Sequence, residues 1–559
     1  MSYRPENPLI VQSDQSILLE TNHPDFLYLR DQLLTFAELI KSPEYIYTYR
    51  ITPLSLWNAA AAGVKSEQII DLLTRYSKFE LPASLVERVR ETVLRYGKLK
   101  LQQKAEQLLL ISEEQEMIDE VTAYPFVKQL GVERLDEYTL RIPKGVRGQI
   151  KQELLKIGFP VEDQAGYVTG ESVPIRLRSV SRQGEPFSLR HYQQEAVSAF
   201  YQQGSVQGGS GVLVLPCGAG KTIVGLSVME QVGQATLILT TNHTSVQQWV
   251  REIKDKTDIP IHLIGQYTGE QKEVRPITVA TYQVLTYRSR KDGSFPHMDL
   301  FQKRNWGLVI YDEVHLLPAP VFRATAEIQA KRRLGLTATL VREDGLEEDV
   351  FSLIGPKKYD VPWKELESKG WIATAKCTEI RTPMSPSLRS TYITASRRQR
   401  YRIAAENPNK IIVIKNILKR HPGGHVLIIG QYITQLKEIA TSLNAPLLTG
   451  ELSQAKREQL YTLFRQGKIP VLVVSKVANF AVDLPDASVA IQVSGAYGSR
   501  QEEAQRLGRI LRPKVQGNKA YFYQVVTRDT VDEEYAASRQ LFLTEQGYQY
   551  RIIDAEVWE

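Results

Sequence analysis

The stretch "GVLVLPCGAGKTIVGLSV", residues 211–228, decides the fold. An apolar run closes at Pro216, a loop carrying Gly218 and Gly220 follows, and apolar residues resume at helical spacing after Lys221 and Thr222. Glycines in such a loop let successive backbone N–H groups face a phosphate at the start of the helix. Lys221 can then reach the β- and γ-phosphates, and the Thr222 hydroxyl can sit on Mg²⁺. Leu215 stands where the first glycine of this pattern is expected, so the flanking strand and helix carry much of the argument.

Ninety residues on, "WGLVIYDEVH" (306–315) places Asp312 and Glu313 at the carboxyl end of another apolar strand. Alone, such a pair reads as a turn or a helix cap. With the phosphate loop it reads as a nucleotide site at the strand ends of an open sheet, Asp312 holding Mg²⁺ through its water shell and Glu313 taking a proton from the attacking water. Upstream, "LRHYQQEAV" sets Arg190 and Gln193 at a helix start, and an amide offers the donor and acceptor that adenine's edge needs. Downstream, "QEEAQRLGRILR" (501–512) spaces Gln505, Arg506, Arg509 and Arg512 along helical turns. An amphipathic surface helix explains that spacing; so does positive charge delivered to a phosphoryl-transfer transition state.

Around these motifs short apolar strands ("ATLILT", "ITVAT", "RRLGLTAT") alternate with helical stretches, as in a parallel sheet covered by helices. After "IGPKKYDVPWKELESKG" the pattern resumes with "HVLIIG", "IPVLVVS", "SVAIQVS" and "KAYFYQVV". The fold expected is α/β: two tandem RecA-like parallel-sheet lobes preceded by two small α+β domains. The boundaries expected are 1–108, 109–180, 181–362 for the first lobe and 363–559 for the second. "TLRIP" and "SVPIRLRSV" read as strands of the second small domain, and "SRQGEPFS" (181–188) as a linker.

Bulk properties narrow the class. A chain of 559 residues is too long for one core, and 42% apolar with 24% charged residues is ordinary globular composition. A net charge of +7 and a pI near 9.0 suit a polyanionic partner. The first hundred residues balance 12 Lys and Arg against 12 Asp and Glu, so the basic excess lies beyond them. Two cysteines, Cys217 and Cys377, exclude a disulfide framework and a CxxC zinc site. Neither a long apolar run nor a signal-peptide core is present, and a cytoplasmic protein with no membrane association is expected.

One further stretch raises a question. "GLTATLVREDG" (335–345) runs from a hydroxyl-rich turn into Arg342, Glu343 and Asp344. A helix start with acids in its first turn accounts for it in isolation. In series, however, "LRHYQ", "LPCGAGKT", "TTNHTSVQQW", "VATYQ", "DEVH", "GLTAT", "VLIIGQY", "SKVANFAVDLP" and "QRLGRILR" resemble the motifs of superfamily 2 helicases and translocases. The Arg-Glu-Asp triplet after TAT, with "LIGPKKY", "NPNK", "GSRQEEAQRLGR" and "FLTEQGYQY", resembles the XPB type, the xeroderma pigmentosum group B DNA helicases. "PLIVQSDQSILLE", "YTYRITPLSLWNAAAAGV" and "YGKLKL" extend the resemblance to the amino-terminal part. Lacking the long extensions of eukaryotic members, the chain is expected to be the prokaryotic form.

The resemblance implies an ATP- and Mg²⁺-dependent DNA helicase and double-stranded DNA translocase of nucleotide excision repair, moving 3′ to 5′. It implies that Gln193, Lys221, Thr222, Asp312, Glu313, Gln505, Arg509 and Arg512 form the ATP site. Asp483 would meet the ribose, although Ala478 and Asn479 depart from the family's Gly-Asp. It further implies DNA-backbone contacts at Thr241, Asn242 and Thr281, coupling through Thr337, Thr339 and His315, and DNA opening by Arg342, Glu343 and Asp344. Residues 109–180 would be a damage-recognition domain, and 381–405, with "SRRQRYR" (396–402), a thumb-like element. The partners implied are duplex or junction DNA and a nuclease or other repair protein, with the chain itself a monomer, nucleoid-associated when bound to DNA. A damage-binding ATPase clamp that does not unwind, or an RNA helicase, are the alternatives.

Overall fold

The computed structural model describes residues 3–558 apart from 42–44, 62, 105–106, 144–145, 165–169, 205–207, 289–294, 318–320, 322–331, 339–349, 351–353, 356, 476–486, 496–506, 509 and 512–517. It forms two compact units. One comprises Met1–Val214, Thr222–Leu340 and Gly345–Asp360; the other comprises Leu215–Lys221, Val341–Asp344 and Val361–Glu559.

Two small sheets open the first unit. The four-stranded antiparallel sheet runs Leu9–Val11, Ser16–Glu20, Ile46–Arg50, Glu38–Lys41. Its inward residues, among them Ile17, Leu19 and Tyr49, pack on Leu56, Leu73 and Val89 of three helices. The helix over "SLVERVRETVLRYG" is Ala83–Arg95, and Gly97 takes φ +86° where a Cβ would be strained. The second sheet orders Glu133–Arg134, Thr139–Ile142, Gln107–Ser112, Leu99–Lys104, Val161–Asp163. The break expected at 108 therefore falls inside a hairpin, Leu99–Lys104 with Gln107–Ser112. This layer starts at Leu99, because Leu99 and Leu101 share its core with Leu110, Ile118, Leu140 and Ile150.

"SVPIRLRSV" does not close that sheet. Val173 N–H donates to Gly233 O at 2.9 Å and Arg178 N–H to Lys256 O at 2.9 Å, while Val173 and Ile175 are buried. An extended, alternating segment satisfies its backbone on whichever surface offers donors and acceptors. Here that surface is the large sheet's helical cover, so the linker expected at 181 follows chain already committed to the lobe.

The large sheet of this unit has seven parallel strands ordered Ile264–Tyr267, Ile277–Thr281, Thr236–Thr240, Leu308–Asp312, Arg332–Thr337, Ser210–Val214, Lys357–Asp360. Thr236–Thr240 and Ile277–Thr281 are buried at every position, as strands covered on both faces must be. The second unit carries another seven-stranded parallel sheet, ordered Leu447–Leu448, Val471–Val474, Val426–Ile429, Val489–Gln492, Lys519–Thr527, Thr374–Thr382, Tyr550–Asp554. Its core joins Ile414, Ile428, Val473 and Ile491. The α/β class with two parallel-sheet lobes after small α+β layers holds. Among the described residues no helix is long and apolar enough to cross a membrane.

Candidate nucleotide site and its coupling residues

Register decides what meets at the carboxyl edge of the first large sheet. Val214, the residue before the glycine loop, pairs with Thr337, and Asp312 pairs with Leu336. Three adjacent strands thus deliver the loop, the Asp-Glu pair and the TAT turn to one edge, where open parallel sheets bind ligands.

The loop is short and tight. Ala219 N–H donates to Pro216 O at 3.1 Å, and Gly218 and Gly220 both take φ +81°, a region that other residues enter only with strain. Helix Lys221–Val232 follows with no acid in its first turn, which leaves the positive end of its dipole to an anion. Lys221 and Thr222 are half-buried at its start. Glycine matters again at Gly225, where a Cβ would lie 2.4 Å from Cη2 of Trp249.

Trp249 is a residue whose part sequence reasoning missed. From helix His243–Lys256, its indole N–H donates to Oδ2 of Asp312 at 2.9 Å and fixes the carboxylate. Tyr282 donates its hydroxyl to the Asp312 carbonyl at 3.0 Å; burial pushes the phenol well above its usual range, so it stays a neutral donor. Glu313 adopts the left-handed conformation (φ 51°, ψ 53°), local strain of the kind kept where it aims a side chain. His315, almost wholly buried, places Nδ1 2.7 Å from the Thr337 hydroxyl and 3.5 Å from Oε2 of Glu313.

No group of three or more His, Cys, Asp or Glu able to hold a metal exists among the described residues. One oriented carboxylate and one hydroxyl, Asp312 and Thr222, nevertheless fit Mg²⁺, which keeps several waters and takes phosphate oxygens as ligands.

The other expected residues divide by use. Gln193 is buried, and its amide oxygen accepts the Arg190 N–H at 2.9 Å, capping helix His191–Tyr201. Asn242 caps helix His243–Lys256 through Ser245 N–H at 3.0 Å, and Thr281 caps Tyr282–Leu285 through Val284 N–H at 3.2 Å. Thr241 accepts from the Asn242 amide at 2.8 Å. These caps sit at the carboxyl ends of strands Thr236–Thr240 and Ile277–Thr281. Thr339, Arg342, Glu343, Asp344, Asp483, Gln505, Arg509 and Arg512 lie outside the described residues, as do Ala478 and Asn479. Within the arginine segment Leu507, Ile510 and Leu511 are fully buried, so its apolar side is core.

Two family signatures turn out to be internal supports. Asn407 of "NPNK" donates to Pro383 O at 3.0 Å and to the Thr527 hydroxyl at 3.2 Å. In "FLTEQGYQY", Leu543 and Tyr548 are core, with Gly547 at φ +83°.

A glycine-loop strand, an Asp-Glu strand one strand away across Arg332–Thr337 and a second parallel-sheet lobe define a two-lobed P-loop helicase class. Comparison with known proteins sharpens this. A family profile described as "ERCC3/RAD25/XPB C-terminal helicase" matches residues 366–557, and one described as "Type III restriction enzyme, res subunit" matches 186–342. "Helicase conserved C-terminal domain" matches 9–136, although here those residues form antiparallel sheets. The DNA 3′-5′ helicase XPB of Mycobacterium tuberculosis is 52% identical, covering 99% of this chain and 98% of its own. That of Kineococcus radiotolerans is 50% identical over 99% and 97%. The general transcription and DNA repair factor IIH helicase/translocase subunit XPB of Enterocytozoon bieneusi is 33% identical over 98% and 92%. The chain belongs to the XPB family of DNA helicases. Membership implies the use of ATP.

Proposed function

We propose that this chain is a DNA helicase and double-stranded DNA translocase, driven by ATP hydrolysis, moving 3′ to 5′ and acting in nucleotide excision repair. The observation that carries the reading is the sheet edge at which the Val214–Thr337 and Asp312–Leu336 pairs meet, with His315 between Glu313 and Thr337. ATP and Mg²⁺, when bound, supply the phosphoryl group and the divalent charge. The loop N–H groups and Lys221 cradle phosphate oxygens; Thr222 and Trp249-held Asp312 take the ion; Glu313 accepts the proton of the attacking water. Arg190 and Gln193 serve the base and Asp483 the ribose. Arg509 and Arg512 bring positive charge to the transition state, a contribution worth about 10³ to 10⁵ in rate, and the uncharged Gln505 amide adds a hydrogen bond at the same site.

On the DNA side, Thr241, Asn242 and Thr281 position backbone phosphates without reading bases. Thr337, Thr339 and His315 pass the state of the carboxylate pair to Arg342, Glu343 and Asp344, which act on the duplex. The sheet beginning at Leu99 is the damage-recognition-like domain and 381–405 the thumb-like element. Action as a cytoplasmic monomer beside a nuclease or other repair partner belongs to the same reading.

The test is Mg²⁺-dependent ATP hydrolysis with no nucleic acid, single-stranded DNA, duplex DNA or RNA, at two salt concentrations, with Lys221→Ala as blank. Stimulation by DNA over RNA that weakens with salt is expected, together with displacement on 3′-tailed rather than 5′-tailed duplexes. Hydrolysis indifferent to DNA would overturn the motor.

A further inference from the structure

Cations and aromatic rings collect at one margin of the first large sheet. Strand Ile264–Tyr267 is its edge strand, and Tyr267 pairs with Ala280, one position before Thr281. The buried Tyr267 ring has the Lys272 ammonium 5.1 Å from its centroid and that of Lys303 5.4 Å away. Its hydroxyl lies 3.0 Å from Nδ1 of His297, whose ring meets it edge-on. Tyr287 packs beside the same imidazole, centroids 6.2 Å apart, and is itself 57% exposed. Next in sequence, the exposed Arg288 guanidinium lies over Phe295 at 4.8 Å.

What holds these cations decides what they can do. A carboxylate neutralises the cation it fixes, whereas an aromatic face fixes it and leaves its charge to a further anion. Lys303 is paired with Asp299 at 3.0 Å. Lys272 and Arg288 have no ion pair among the described residues, although Glu270 and Glu273 flank Lys272 in sequence. The local field is positive: burial and then Lys272 push the His297 pKa below its usual value, and Lys303 adds to them against Asp299.

Packing accounts for Tyr267, which is buried, but not for Tyr287, a ring braced by His297 with more than half its surface open to solvent. Tyr287 stands two residues past helix Tyr282–Leu285, the helix that Thr281 caps. Three cations and one exposed ring in a single cluster suit a chain with regularly spaced phosphates and bases free to stack. Duplex bases are stacked on one another, so such a ring selects a separated strand.

We propose that Tyr287, together with Lys272, Lys303 and Arg288, is a binding platform for single-stranded DNA. One unstacked base lies on the Tyr287 ring, and neighbouring phosphates meet the cations. The proposal rests on the helicase reading above and adds the place where a strand, once parted from its complement, is held.

The probes are a labelled single-stranded oligonucleotide and a duplex of equal length, titrated with the full chain. Tyr287→Ala is expected to weaken single-strand binding about tenfold, the scale of one lost base–ring stack, and to leave duplex binding unchanged. Tyr287→Phe keeps the ring and is expected to bind as wild type does. Lys272→Gln is expected to reduce the slope of log single-strand affinity against log salt by about 0.7. The platform is overturned if Tyr287→Ala binds the single strand like wild type, loses duplex binding equally, or is matched in weakness by Tyr287→Phe. A slope that Lys272→Gln leaves unchanged overturns it too. Wild-type protein that binds neither probe, and whose hydrolysis DNA does not stimulate, brings down the helicase reading and the platform with it.

Discussion

The Thr337 hydroxyl sits 2.7 Å from Nδ1 of His315, and the same imidazole nitrogen is 3.5 Å from Glu313. One buried ring therefore joins two neighbouring strands at the sheet edge where we propose that hydrolysis is coupled to DNA. Thr337→Val keeps the shape and removes the partner. DNA-free ATP hydrolysis should survive while stimulation by duplex DNA drops about tenfold, for a stability cost of about 1 kcal/mol. Titrating hydrolysis against DNA concentration checks this, and unaltered stimulation would reduce the contact to packing.

Trp249 makes a separable prediction. Phe in its place preserves most of the apolar contact but cannot donate to Asp312. Supporting hydrogen bonds of this type change metal affinity by about 10- to 100-fold, so Trp249→Phe should raise the Mg²⁺ concentration for half-maximal hydrolysis, with saturating activity largely kept. Gly225→Ala is the companion variant. Its Cβ would sit 2.4 Å from the indole and force a shift that costs about 1–3 kcal/mol, read by urea unfolding.

A pH effect follows from the five-stranded sheet. Burial works against the Asp163 charge, yet Lys151 and Arg147, at 2.7 Å each, together hold its pKa down to about 2 from an ordinary 3.8. A folded pKa below the unfolded one gives stability that is full above pH about 4 and is lost as pH falls toward 2. The difference is about 2 kcal/mol. Asp163→Asn should therefore lower resistance to urea by about that amount at neutral pH, and the gap to wild type should close as pH falls. A gap that stays constant down to pH 2 contradicts the ion-pair account.

Central strands were legible because burial on both faces writes them as unbroken apolar runs, as in "TLILT" and "ITVAT". Edge strands were not: Lys357–Asp360 is half-buried throughout and Glu133–Arg134 is exposed, so neither carries a periodic signal. "SVPIRLRSV" was legible as extended chain, but the choice of partner lies in Gly233 and Lys256, far along the sequence. The Trp249–Asp312 bond likewise spans sixty-three positions, and no local pattern announces it. Gln193 shows the opposite difficulty. A glutamine three residues after Arg190 serves as a helix cap as readily as an adenine reader, and only the geometry shows the cap.

"SRRQRYR" is a charge run that suits a solvated face or a phosphate surface, and the structure separates Arg397, Arg400 and Arg402. Arg400 donates to Ala395 O at 3.0 Å and to Ile393 O at 2.7 Å, so it closes the turn between two helices. Arg402 pairs with Glu406 at 3.1 Å, one helical turn away. Arg397 is exposed and has no ion pair among the described residues. A phosphate contact is therefore expected of Arg397 and not of Arg400. Arg397→Ala should weaken DNA binding and reduce the slope of log affinity against log salt by about 1, uniformly across DNA sequences. Arg400→Ala should leave that slope alone and lower the melting temperature instead. Equal slopes for Arg397→Ala and wild type would remove Arg397 from the phosphate contacts.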